Sequence, residues 1–231
     1  MKTFYNDITI IFLTLNKVPK KWVPYHREML EKAADGAPII SVSREPMDFG
    51  TNIIQTEPAS AVNIYWQTLK AAKIATTPYI AIAEDDTLYP REHYHGFRPS
   101  LDTFAYNKTR WGLNTWGLPI YYHAQRASHM TLIAPRKLAV EALEERFNKY
   151  PIDNAGGKNA GGELGKQWME ERLGVTLRKS VEFYTSDPVM YFQHIESIDP
   201  LNVNRKKRMS RIRALEIPYW GRSEDMIKKF V

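Results

Sequence analysis

The stretch Pro78-Tyr-Ile-Ala-Ile-Ala-Glu-Asp-Asp-Thr-Leu-Tyr-Pro90 constrains this chain more than any other. Tyr79 to Ala83 is an almost purely apolar run, the pattern of a strand buried on both faces. It ends without transition in Glu84, Asp85 and Asp86. Three carboxylates at the mouth of a buried strand repel one another and lose hydration, so something must compensate them. A divalent cation such as Mg²⁺ or Mn²⁺ does this with hard oxygen ligands. An acidic turn solvated where the strand exits does it without one. The triplet alone leaves both open.

The preceding sequence alternates between strand and helix patterns. Ile8 to Leu13 is rich in β-branched residues and reads as a buried first strand, with Thr14, Leu15 and Asn16 at its carboxyl end. A helix is expected from about Lys20 to Ala34, stopped by Asp35-Gly36. Pro38 to Ser43 reads as a second strand closed by Arg44-Glu45-Pro46, and Asn52 to Thr56 as a short edge strand. Ser60 suits the N-cap of a helix over Ala61–Ala75, whose Val62, Tyr65, Leu69 and Ala72 share a face. This βαβ alternation predicts an α/β fold, a Rossmann-type, mostly parallel central sheet flanked by helices. Ligands bind such sheets at the carboxyl ends of the strands, where Asn16, Arg44 and the acids converge.

The second half is less regular. Trp111–Trp116, Met130–Ala134 and Val189–Phe192 read as strands, and Pro135 opens a helix to about Asn148. The glycine-rich run from Asn154 to Gly162 precedes an expected helix from Glu163 to Leu173, stopped by Gly174. One catalytic domain over residues 1–200 and a basic extension over 201–231 are expected.

The chain has 231 residues, 43% hydrophobic and 25% charged, enough to bury roughly 70% of the surface its unfolded form exposes. Its Cys count of 0 excludes disulfides, zinc thiolates and thiol nucleophiles, and fits a reducing, cytoplasmic setting. Ile8–Leu15 is too short to span a bilayer, so no transmembrane segment is expected. The net charge of +6 favours anionic partners: nucleotides, nucleic acid or acidic lipid surfaces.

Taken together, Ala61-Val-Asn-Ile-Tyr-Trp through Ala83-Glu-Asp-Asp86 resembles GT-A-fold glycosyltransferases, specifically the large inverting family that uses nucleoside-diphosphate sugars. The resemblance covers roughly residues 8 to 195. It implies a helix with an early Asn, here Asn63, followed by the family's DxD-type motif, here Glu84-Asp85-Asp86 with Glu in the first place. By that resemblance Asp86 is the metal ligand, Glu84 or Asp85 supports the nucleotide, and Thr14, Asn16 and Arg44 or Glu45 contact the nucleoside. His194, after the late strand, is implied as a second ligand or a diphosphate contact, and carboxylate plus imidazole favours Mn²⁺. Glu163 matches the carboxylate that takes the acceptor's proton, with Asp153 as substitute. Glu163 also reads as a simple helix cap. Trp116, Tyr121 and Tyr122 are candidate sugar and acceptor walls.

The donor implied is a nucleoside-diphosphate sugar, a UDP-sugar first, whose hexose or pentose moves to a hydroxyl with inversion. The run Arg205-Lys-Lys-Arg208, with Arg211 and Arg213, fits a nucleic-acid acceptor such as the hydroxymethylated DNA bases that phage glycosyltransferases modify. It also fits a membrane surface bearing a lipid-linked glycan, or a solvated arm. A non-catalytic nucleotide or nucleic-acid binding module is the competing class. A sugar nucleotidyltransferase ranks last, because Leu15-Asn16-Lys17-Val18-Pro19 is not a glycine-rich loop.

Overall fold

A computed structural model describes residues 7–124, 126–152, 160–196 and 209–231. Asp153, the glycines up to residue 159 and the run Arg205–Arg208 lie outside the described residues. The first half follows the expected alternation: β1 (Ile8–Leu13), α1 (Trp22–Ala34), β2 (Ile39–Ser43), β3 (Thr51–Ile54), α2 (Asn63–Ile74) and β4 (Tyr79–Glu84). Strand β1 lies between β2 and β4, parallel to both, and β3 adds parallel to β2 at the edge.

The central sheet is completed by β6 (Thr103–Asn107), β9 (Leu132–Pro135) and β10 (Lys179–Phe183), in the order β10-β6-β9-β4-β1-β2-β3. Only β9 runs against its neighbours β4 and β6, so the sheet is mostly parallel. Alternate β1 side chains face opposite layers. Ile11 and Leu13 join α2 and α4 (Arg136–Lys149) in one core; Ile10 and Phe12 join α1 and α3 (Arg91–His95) in another. That two-sided burial is why β1 and β4 carry no polar stripe.

The second half builds another sheet. Strand β5 (Thr87–Leu88) leaves the acidic turn and pairs antiparallel with β11 (Val189–Gln193), which runs parallel to β7 (Arg110–Asn114). Strand β8 (Tyr121–Ala124) follows, and β12 (Met209–Ala214) closes the far edge. Tyr121 and Tyr122, the candidate aromatic walls, thus lie in a strand. The ribbon of β13 (Glu216–Ile217) and β14 (Gly221–Arg222) leads into α6 (Ser223–Phe230). Trp220, Met226 and Phe230 are buried with Trp22, Leu113, Met190 and Phe192, so residues 209–231 are built into the body of the protein. Among the described residues no helix is long and apolar enough to cross a membrane.

Helices α1 and α2 start two residues later than the sequence pattern predicts, and a third starts four later. The last helix of the central layer, α5, spans Gln167–Leu173 rather than opening at Glu163. Gly165 takes φ +72°, which breaks a continuous helix. A Cβ there would meet the Lys179 carbonyl at 2.6 Å. Glu163 therefore sits in the loop before the helix, and the helix-cap reading does not apply to it.

Candidate functional site

The acidic turn sits where β4 ends, and four backbone carbonyls there need partners. Helix α1 supplies two donors one turn apart. Trp22 Nε1 donates to Asp85 O at 2.8 Å; His26 Nε2 lies 3.1 Å from Glu84 O and 2.9 Å from Thr87 O. The Phe192 amide of β11 donates to Asp86 O at 2.8 Å. The His26 ring is fully buried, and burial lowers its pKa to about 4 against the pull of the carbonyls, so it stays a neutral donor. With every carbonyl fixed, the three carboxylates have defined directions.

Those carboxylates form part of the lining of a cavity of about 550 Å³, large enough for a nucleotide-sized ligand. The Thr14 hydroxyl donates to Asp85 Oδ2 at 2.5 Å, tying the end of β1 to the end of β4. Burial, then repulsion from Asp86 and Asp85, pushes Glu84 up to about 8; burial and Asp86 push Asp85 up to about 7. Ionising all three acids would thus put more negative charge on the turn than it can solvate, a cost that a cationic partner would offset.

His194, at the end of β11, completes the cluster: its Nε2 lies 3.4 Å from Asp86 Oδ2. Burial works against its charged form, but the hydrogen bond to Asp86 and the charges of Asp86, Asp85 and Glu196 outweigh it and raise its pKa. Adjacent ligands of one octahedral cation stand about 3 Å apart for bonds of about 2.1 Å. Asp86 and His194 are close to that spacing, so this pair fits a divalent ion. Among the described residues no group of three His, Asp or Glu side chains could hold a metal by itself. Remaining positions would fall to the ligand and water.

Glu163 lines the same cavity, as do Asn63, Tyr65 and His129. The loop carrying Glu163 is gripped from below by Arg146 of α4, whose side chain is 1% exposed. Its Nη1 donates to Gly162 O at 2.5 Å and Nη2 to Glu163 O at 3.4 Å. Two cations, Lys17 and Arg126, also line the cavity and can offset phosphate charge. The sequence reading passed over Lys17, Arg126, Trp22, His26 and Arg146. The first two are lone surface-type cations; the others look like ordinary core or solvated helix positions.

The remaining expected residues are placed differently. Asn16 adopts φ 58°, and its side-chain oxygen accepts from the amides of Arg44 and Glu45 at 2.8 and 3.1 Å. Arg44 reaches the carbonyls of Thr56 and Glu57. Neither is among the cavity-lining residues; both tie loops together beside it. Asn63 is fully buried and bonds Gln55 Oε1 at 2.9 Å. Tyr121 and Tyr122 are buried on β8, and Trp116 is 40% exposed. None of these three lines the cavity, although Tyr191, bonded to Tyr122 by its hydroxyl, does.

No known family model and no curated protein sequence matches this chain. Similarity appears only among solved structures. The mannosyltransferase PcManGT from Pyrobaculum calidifontis, in complex with GDP-Man and Mn²⁺, aligns at TM-score 0.48 and 14% identity over 89% of this chain and 62% of that one. A glycosyltransferase involved in glycosylation of the major capsid of PBCV-1 aligns at 0.45 and 13%, over 80% of this chain and 91% of that one. HddC from Yersinia pseudotuberculosis aligns at 0.46 and 11%, over 87% and 97% respectively. At this level the chain is similar to these proteins in outline and is not assigned to a family by them.

Proposed function

We propose that this protein is a metal-dependent glycosyltransferase that moves a sugar from a nucleoside-diphosphate sugar to a hydroxyl acceptor. The observation that carries this reading is the pairing of Asp86 with His194 at 3.4 Å, in a cavity that Glu163 also lines. Asp86 and His194 would hold a divalent cation, Mn²⁺ first. Bound there, the ion would neutralise charge on the departing diphosphate. Lys17 and Arg126 add fixed positive charge beside it. Thr14 holds Asp85 in place, leaving Asp86 to face His194. Glu163 takes the proton of the acceptor hydroxyl as its oxygen attacks the anomeric carbon. Attack opposite the leaving diphosphate gives a single displacement with inversion.

For the acceptor, a hydroxyl on nucleic acid is the first to try. The net charge of +6 and the exposed Arg211 and Arg213 on edge strand β12 support it. The test is release of free diphosphate from UDP-, GDP- and TDP-hexoses with Mn²⁺, with and without hydroxymethylated DNA or oligosaccharide. The expected result is acceptor-stimulated release by the wild type and a loss of at least about a hundredfold in Asp86→Asn. Tight nucleotide binding without release, equal in both proteins, would instead show a binding module. Stimulation by oligosaccharide alone would replace the nucleic-acid acceptor with a glycan.

A further inference from the structure

The proposed mechanism leaves buried polar groups on the cavity wall unused, His129 among them. His129 lies in a 3₁₀ turn, His129–Thr131, before β9 and is 3% exposed, yet it lines the cavity. Its ring packs against Tyr65 with centroids 4.4 Å apart. Nε2 is 2.8 Å from the Thr68 hydroxyl, which itself donates to Ile64 O at 2.8 Å. A hydroxyl has one proton, so Thr68 accepts from His129, and the Nε2–H tautomer follows. Nδ1 is then a bare acceptor, and it has no hydrogen-bond partner among the described residues. Burial, reinforced by the Arg146 charge, lowers the ring's pKa to about 3, so it accepts a hydrogen bond at neutral pH without taking the proton.

A second orphan lies in the same lining. Asn63 Oδ1 is buried and also without a hydrogen-bond partner among the described residues. Two unpartnered acceptors on one cavity fit a ligand that brings donors, and leaving such atoms unpaired is costly unless something fills the role. Their position says which part of the ligand. The Tyr65 ring that supports His129 hydrogen-bonds through its hydroxyl to the Gly162 backbone, next to Glu163. On the glycosyl-transfer reading, the wall that carries the proton acceptor faces the reacting carbon, so the group that meets His129 there is on the sugar and not on the nucleoside.

We infer that His129 Nδ1 is a specificity-determining acceptor that receives a hydrogen bond from one hydroxyl of the transferred sugar, an assignment that rests on the glycosyl-transfer reading. The site takes a pyranose bearing a hydroxyl at that position and discriminates against its deoxy analogue. Thr68 is the positioning residue that fixes the tautomer.

The experiment is calorimetric binding, with Mn²⁺, of the hexose conjugates of UDP, GDP and TDP, each beside its free diphosphate. Wild type is compared with His129→Phe, which keeps a flat ring against Tyr65 and leaves Thr68 bonded to Ile64. The expected result is about tenfold weaker binding of the nucleotide sugar with unchanged binding of the free diphosphate. Monodeoxy donors on the wild type give the same information without a variant: one position should lose about tenfold, and that loss should vanish in His129→Phe. Equal losses for sugar conjugate and free diphosphate, or no loss, would overturn the assignment alone. A wild type that tolerates every monodeoxy donor would do the same. A wild type that binds no nucleotide at all would remove the transfer reading and this one with it.

Discussion

The acidic turn depends on two side chains that touch no carboxylate. Trp22 holds the Asp85 carbonyl and packs edge-on against Phe192 and tilted against Phe230, at 5.1 and 5.2 Å between ring centroids. Trp22→Phe keeps much of that ring packing but strands a carbonyl at the floor of the cavity. A loss of about 1–3 kcal/mol in urea unfolding is expected, since an orphaned buried acceptor costs that much. An unchanged midpoint would show that the turn is held without it. This also marks the limit of the sequence at this scale. Three acids after an apolar run are conspicuous because nothing in a soluble core explains them. Trp22 and His26 have an ordinary explanation as the buried face of α1, and their second task exists only once β4 lies beneath them. Asn16 shows the converse: a polar residue at a strand end reads as a ligand contact, yet its amide latches β1 to the turn after β2.

Among the elements, the loop carrying Glu163 is fixed by a buried ion pair. Arg146 and Glu170 have side chains 1% and 0% exposed and stand 3.8 Å apart. Glu170 accepts from the amides of Gly165 at 2.9 Å and Arg178 at 2.6 Å, while Arg146 holds the Gly162 and Glu163 carbonyls. Arg146→Met leaves Glu170 in the interior without its cation, held among the described residues only by those two amides. About 3–5 kcal/mol of stability should be lost, and Arg146→Met with Glu170→Gln should recover part of it, because Gln keeps an acceptor without the charge. If the double variant is no more stable than the single one, the cost lies in the lost carbonyl contacts instead. Glu170 accepts from Gly165, the residue whose positive φ makes α5 begin later than its pattern suggests. Periodicity could place strands β1, β2 and β4 and helices α1, α2 and α4 to within a few residues, since each is set by burial along its own length. It did not place β6 or β10, and although it read β7 and β11 as strands it gave no sign that they build a second sheet. Strands β7 and β11 are parallel neighbours although about 75 residues separate them, and β12 pairs at its edge under a charged sequence that reads as a tail.

At the scale of the whole molecule, buried histidines and the half-buried acids of the turn pull stability in opposite directions with pH. His26, His93 and His129 have pKa values lowered from 6.5 to about 4, 3 and 3, each mainly by burial. The unfolded chain takes up protons there that the fold refuses, so their contribution is full above pH 6.5 and is lost as pH falls toward 4. Each can supply a slope of up to about 1.4 kcal/mol per pH unit. Glu84 and Asp85 act the other way. Raised to about 8 and 7, they keep protons in the fold that the unfolded chain has released above 4.5 and 3.8. Their contribution is present in acid and disappears as pH climbs through 7 and 8, and the raised His194 adds to that loss. Between about 4.5 and 6.5 three histidines outweigh two acids; above 6.5 only the opposing groups still titrate. In EDTA the melting temperature should therefore peak near pH 6.5 and decline on both sides. A cation at Asp86 and His194 replaces the protons on this cluster, so Mn²⁺ should raise the melting temperature more at pH 8 than at pH 5.5 and flatten the alkaline decline. Asp86→Asn should show a smaller decline in EDTA, having lost the charge that repels Glu84 and Asp85, and little response to Mn²⁺. Melting curves from pH 4.5 to 9 with and without the ion decide the matter. A melting temperature that keeps rising to pH 8 in EDTA would mean the acids are already ionised in the fold, with no need of a cation to compensate them.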